Sequence, residues 1–192
     1  MDSSLRELAA ECWRLLEAAP RERGSMLRTP VLATAGLDGA PECRTVVLRA
    51  CEPPILGLTI FTDARSAKAA QIEADARVSL TFHDPGRGIQ LRVWGKARLH
   101  TDDAVARRCW ELAPAASRVV YLSEPGPGQA VDGPTSGLPE GEVVLEAAHV
   151  NFAVIQVTAR WVEWLRLDQA GNLSARFEWD DGQLRSASWI IP

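Results

Sequence analysis

Tyrosine, methionine and histidine are scarce in this chain of 192 residues, with one Tyr, two Met and three His. His83, His100 and His149 are isolated from one another, so no histidine cluster for metal or triad chemistry can be read. A solitary histidine ordinarily packs or sits at the surface; His149, beside a Pro- and Gly-rich stretch, is the one expected nearest a cleft. Cys12, Cys43, Cys51 and Cys109 show no CxxC or Cys/His ligand spacing, which argues against a zinc site and leaves no metal expected. They read as free, mostly buried thiols of a reducing compartment. No apolar run approaches bilayer length, and the N-terminus lacks a basic-then-apolar leader pattern, so a cytoplasmic protein without a membrane partner is expected. Positive charge is also lacking. A formal net charge of -4 argues against a general nucleic-acid binder.

What is present suits one sizeable core. Hydrophobic residues make up 46%, which at this length predicts a single domain over 1–192. Seven Trp are many for so small a chain and point to core or subunit interface. Ser3-Ser4, with Glu7 in capping-box position, opens an amphipathic N-terminal helical segment, 1–24, whose apolar face is Leu5, Leu8, Cys12, Leu15 and Leu16. Strands are expected over 31–35, 44–49, 55–61, 78–82 and 89–99, with an Asp38-Gly39 hairpin turn and a break at Pro53-Pro54. Helices are expected from Ser66 to Ala74 and, capped by Thr101-Asp102-Asp103, up to Pro114. Residues 124–142, punctuated by Pro and Gly, read as a mobile loop or lid. Three more strands close the chain, over 152–167, 173–179 and 184–191. Many short strands with few helices predict a mainly β (α+β) barrel or sandwich.

One stretch carries a possible chemistry. Arg44-Thr45-Val46-Val47-Leu48-Arg49 alternates polar and branched residues as a half-buried strand does, placing Arg44, Val46 and Leu48 on one face and Thr45, Val47 and Arg49 on the other. A second strand ends in Phe61-Thr62-Asp63, and Ser66-Ala67-Lys68 then begins a helix. A strand, a turn and a helix N-terminus, with Lys68 and Arg44 adding full charges, form a candidate anion site. Solvated surface charge is the ordinary alternative for each cation taken alone.

These residues, followed by Arg77-Val78-Ser79-Leu80-Thr81-Phe82 and Gln90-Leu91-Arg92-Val93-Trp94-Gly95-Lys96-Ala97, occur in the order and spacing of the pyridoxamine 5′-phosphate oxidase-like FMN-binding family. The resemblance runs from about Pro30 to about Leu112, with a weaker echo over 152–192. It implies an antiparallel split β-barrel with a few peripheral helices, working as a homodimer with FMN in the clefts between subunits. It implies that Arg44 contacts the FMN phosphate or ribityl chain and Lys68 the phosphate, with Ser66 and Ala67 at that end. Phe61-Thr62 would pass along the ribityl chain. Val46 and Val47 would offer backbone polar groups to the ring edge, Thr45 and Arg49 would be among the cofactor-binding residues, and Gln90 would hydrogen-bond the ring. Trp164 would stand near the flavin, and Arg176 would arrive from the neighbouring subunit.

One departure is in the cofactor-phosphate motif, where a cationic contact is missing, and the others fall on the substrate side. Ala67-Lys68 replaces the family's Arg-Lys, leaving Arg65 as a nearby substitute. The Tyr and Arg that hold the substrate phosphate fall at Cys109 and Ala113, and only Ser117 is kept. Glu124-Pro125-Gly126 stands in place of a Gln-Ser pair. The resemblance therefore implies a branch with the cofactor half retained and the substrate altered, of the Alr type rather than the true oxidase. The expected role is an FMN-dependent oxidoreductase taking electrons from a small-molecule donor. A non-catalytic flavin-binding or sensing module, or a split barrel holding haem or a deazaflavin, remains the alternative.

Overall fold

Strand pairing dominates the chain in the computed structural model, which describes residues 2–192. The elements are α1 (Ser3–Ala18), β1 (Val31–Ala35), β2 (Pro41–Thr45), β3 (Leu48–Glu52), β4 (Gly57–Asp63), α2 (Ala67–Ala74), β5 (Arg77–Asp84), β6 (Ile89–His100), α3 (Ala104–Leu112), α4 (Ala115–Arg118), β7 (Phe152–Arg166), β8 (Leu173–Asp180) and β9 (Gln183–Ile190). Among the described residues no helix is long and apolar enough to cross a membrane.

The N-terminal helix is shorter than its expected segment of 1–24. Asp2, not a serine, caps it, its carboxylate accepting from the Ser4 N–H at 2.9 Å. The helix stops at Ala18, with Ala19 still helical (φ -51, ψ -43) and its N–H bonded to Leu15 O, because Pro20 has no N–H to continue the ladder. Its face of Leu5, Ala9, Cys12, Trp13 and Leu16 is buried. Trp13 meets Trp179 edge-on at 5.7 Å, so the helix is fastened to the sheet through the end of β8.

The hairpin forms as expected. Gly39 holds φ +83, a conformation costly for a side chain, and Asp38 accepts from the Ala40 N–H at 2.9 Å. The strand expected over 44–49 does not run through. β2 pairs with β1 and β3 pairs with β4, and the backbone changes partner between them at Val46-Val47. There the Val46 N–H donates to Pro30 O at 2.9 Å, outside either ladder. The strand expected from Ile55 likewise begins at Gly57. Pro53–Ile55 form a 3-10 turn, and Leu56 takes a left-handed φ of 54 before pairing starts.

All pairings are antiparallel, in the order β2-β1-β5-β6-β7-β4-β3, with β8 and β9 branching from β7. β7 holds β4 along its first half and β8 along its second, with β6 beside both. This is a split, unclosed barrel. Where the β6–β7 register shifts after Trp94, Gly95 is required because any Cβ would strike the Thr158 carbonyl. The main core joins α1 to the barrel interior. A smaller cluster of Trp110, Tyr121, Phe152 and Val154 lies under α3, with Phe61 packed against it.

Candidate functional site

The change of partner at Val46-Val47 opens a cavity of about 320 Å³ between β2, β3 and the end of β4. Thr45, Val46, Val47, Arg49, Phe61, Thr62 and Lys68 line it, so seven residues singled out in the sequence converge. Asp63, the end of the Phe61-Thr62-Asp63 motif, and Pro127, from the 124–142 stretch, complete the wall with Val120 and Tyr121, to which no periodicity or motif points.

Its polar end is built where β4 turns into α2. Thr62 and Ser66 are buried, with hydroxyls 3.2 Å apart. Ser66 Oγ donates to Asp63 O at 2.7 Å, so it does not cap the helix it precedes, and the first-turn N–H groups of α2 lack a side-chain acceptor. Such N–H groups favour an anion. Lys68 Nζ donates to Thr62 Oγ1 at 3.2 Å, and no carboxylate pairs with it among the described residues. Burial first, then the charge of Arg44, pushes the Lys68 ammonium below its ordinary pKa, with Asp63 opposing. This half-buried cation lacks a negative partner, and a phosphate monoester has the charge and acceptors to supply one.

Arg44 sits behind that end. Its guanidinium donates to Thr34 Oγ1 at 2.6 Å, to Glu42 Oε2 and Gln71 Oε1 at 3.0 Å each, and to Leu32 O at 3.4 Å. It acts on the cavity through Lys68 rather than by lining it. Arg65 is also occupied. It grips both Asp63 oxygens, at 3.0 and 2.7 Å, and reaches Glu124 Oε1 and Ser123 O at 3.0 Å each. Those bonds tie the start of the 124–142 stretch, which has no helix or strand, to the β4–α2 turn and bring Pro127 to the cavity.

Gln90, Trp164 and Arg176 lie on β6, β7 and β8, and none lines this cavity within one chain. Trp164 is buried, edge-on to Trp189 at 6.4 Å. Arg176 donates to Glu163 Oε2 at 2.9 Å, and Arg92 to Glu163 Oε1 at 2.7 Å. Both guanidinium groups lie against the Trp161 ring, at 5.0 and 5.5 Å, and Trp94 stacks on Trp161 at 6.3 Å with 10° between planes. Ser66 and Ala67 lie beside the cavity without lining it, and Ser117, on α4, lines no cavity described here.

A larger cavity of about 870 Å³ adjoins the first, and Arg49 and Phe61 line both. Leu48, Ala50 and Thr59 form one wall, and Val105, Cys109 and Leu112 of α3 the other, with Arg28, Arg108 and Glu52 as charged groups. The Arg49 guanidinium lies over the Phe61 ring at 5.4 Å, and burial lowers its pKa. Burial likewise pushes the Tyr121 hydroxyl up to about 12, so it stays a donor. His149 faces a separate hollow of about 370 Å³, edge-on to Trp110 at 5.4 Å.

The family model for pyridoxamine 5′-phosphate oxidase matches residues 19–166. A pyridoxine/pyridoxamine 5′-phosphate oxidase of Granulibacter bethesdensis is 40% identical over 83 residues, 42% of this chain and 37% of that protein. Another, from Pseudomonas paraeruginosa, is 32% identical over 112 residues, 57% of this chain and 47% of that protein. The chain thus spans less than half the length of either relative. Among solved structures, a pyridoxamine 5′-phosphate oxidase-related, FMN binding protein from Nostoc punctiforme superposes with a TM-score of 0.73 at 23% identity, covering 95% of this chain and 96% of that one. PhzG from Burkholderia lata, in complex with tetrahydrophenazine-1-carboxylic acid, gives 0.72 at 15% identity, covering 100% and 98%. At such identities the likeness establishes the fold.

Proposed function

The chain belongs to the pyridoxamine 5′-phosphate oxidase family, and from that premise we propose that it binds FMN and acts as an oxidoreductase on a small-molecule donor. The observation that carries this reading is Lys68: a half-buried ammonium without a carboxylate partner, at the uncapped start of α2, closing the polar end of a cavity with apolar walls. In this reading Lys68, the first-turn N–H groups at Ala67 and Lys68, and the Thr62 and Ser66 hydroxyls hold the phosphate. Arg44 raises the local positive potential from behind. Phe61 and Thr62 follow the ribityl chain, and Thr45, Val46, Val47 and Arg49 flank the ring. When bound, FMN supplies two-electron redox chemistry; the chain positions it, keeps water from the ring and presents the adjoining cavity to the donor.

The reading includes a homodimer. Gln90, Trp164 and Arg176 occupy a different part of the sheet from the cavity, and a second copy is what brings such residues to the flavin. The outward row of Trp94, Trp161, Arg92, Glu163 and Arg176 is apolar and charge-paired at once, as subunit interfaces are. The loss of the substrate-phosphate Tyr and Arg, at Cys109 and Ala113, favours a substrate other than a phosphorylated pyridine. Stopped-flow mixing of the flavin-loaded protein with NADH, NADPH and a donor panel tests the enzymatic part. Reduction at a useful rate by any of them supports it, and none would leave a flavin-binding module.

A further inference from the structure

We infer that the larger cavity is the site for an aromatic carboxylate, its carboxyl group held by Arg49 with Arg28 and Arg108 adding charge. This deepens the flavin reading by naming the substrate class, and rests on it only for what lies across Arg49.

Arg49 stands where the two cavities meet. Its Nε is buried without a partner, and no carboxylate lies within ion-pairing distance of Arg49, Arg28 or Arg108 among the described residues. A chain with a net charge of -4 has therefore gathered three unpaired guanidinium groups against one carboxylate, Glu52, around a single hollow. Of the three, Arg49 is the one whose burial makes an unneutralised charge costly unless an anion arrives, while Arg28 is partly exposed and Arg108 exposed. The apolar side chains of Ala50, Val105 and Leu112 suit a flat ring, and the Arg49 guanidinium rests over Phe61 at 5.4 Å.

The donor set favours a carboxylate over a phosphate ester. One guanidinium fork satisfies two coplanar oxygens, and of the three guanidinium groups only Arg49 has a buried nitrogen without a partner. Arg28 is partly exposed and Arg108 exposed, so they add charge rather than the fixed converging donors that a phosphate's third oxygen needs. The uncharged polar groups here are Thr59 and Gln156, and the Cys109 thiol, whose pKa burial raises, is only a weak donor. Ser117, which the resemblance retains for a substrate phosphate, does not line the cavity.

The test is calorimetric titration of 2-naphthoate, 2-naphthalenemethanol and pyridoxal 5′-phosphate into the protein with and without FMN, with the visible flavin band as a second readout. Naphthoate is expected to bind at least about 10-fold more tightly than the alcohol. Arg49→Met should weaken naphthoate by about 10- to 100-fold and the alcohol little. Arg108→Ala should cost about 2- to 5-fold, lost at high salt. Arg49→Lys, which keeps the charge but not the fork, serves if the Met variant does not fold, and should also weaken naphthoate. Equal affinity for alcohol and naphthoate, tighter binding of pyridoxal 5′-phosphate, or indifference to the Arg49 variants would overturn the assignment. Naphthoate binding through Arg49 in a protein that takes up no FMN would sustain this site while removing the flavin reading.

Discussion

Replacing Lys68 by Met separates a cofactor-binding role from a structural one, because the two give opposite signs. In the free protein the ammonium is desolvated, repelled by Arg44 and bonded only to Thr62 Oγ1 at 3.2 Å. Its removal forfeits one hydrogen bond from a charged donor, about 1.5–3 kcal/mol, and the attraction of Asp63, but relieves both penalties, which outweigh them because the folded-state pKa lies below the ordinary value. The unliganded variant should therefore be as stable as the parent or more so. FMN binding should weaken by about 1.5–3 kcal/mol for the lost charge-assisted contact, roughly 10- to 150-fold in Kd. Flavin fluorescence titration reads the affinity and thermal denaturation without FMN reads the stability. A pH series adds a signature. The folded-state pKa of Lys68 is lowered, so the unfolded chain binds more protons between that value and the ordinary one, and unliganded stability rises with pH across that window. FMN affinity of the parent should fall over the same window as the ammonium is lost, and the variant should show neither trend. An unchanged Kd, or an unliganded variant destabilised by more than about 2 kcal/mol, would refute the reasoning.

Arg65→Ala leaves the buried Asp63 carboxylate without its fork and should cost about 1–3 kcal/mol in urea denaturation; it should also speed protease cleavage within 124–142, and no change in either would show the tie to be idle. Asp103→Ala removes acceptors for the Val105 and Ala106 N–H groups, both at 3.0 Å, and should cost about 1 kcal/mol. The Ala106 N–H and then His100 hold the Asp103 pKa low, so its contribution is complete above the ordinary carboxylate range and lost as pH falls through the lowered value; acid unfolding should flatten in the variant. Trp161→Asp places a charge in the outward aromatic row, and sedimentation should show the parent as a dimer and the variant as a monomer. A parent that sediments as a monomer with flavin bound would contradict the intersubunit cleft.

Much of the barrel was legible because strands alternate and turns declare themselves, as Asp38-Gly39 and Asp103 did. Alternation could not show that 44–49 changes partners, since Val46-Val47 keeps the pattern while the ladder ends. That break is what makes the cavity. Local motifs gather Thr45, Val46, Val47, Arg49, Phe61, Thr62 and Lys68 at one cavity because they lie on consecutive elements. Arg44 and Arg65 carry the right charge, but whether a cation faces a cavity depends on acceptors distant in sequence, here Gln71 for one and Ser123 and Glu124 for the other. Tyr121 and Pro127 reach the wall through the irregular segments around 119–142, which no period describes. The larger cavity was illegible for the same reason: Arg28, Arg49 and Arg108 come from three elements that only the fold brings together.

The most direct measurement is titration of FMN into the purified chain with flavin fluorescence followed. The account predicts saturable quenching at one FMN per chain with a dissociation constant of about 1 μM or below, about -8 kcal/mol. Fluorescence that stays that of free flavin at protein concentrations well above this would contradict it.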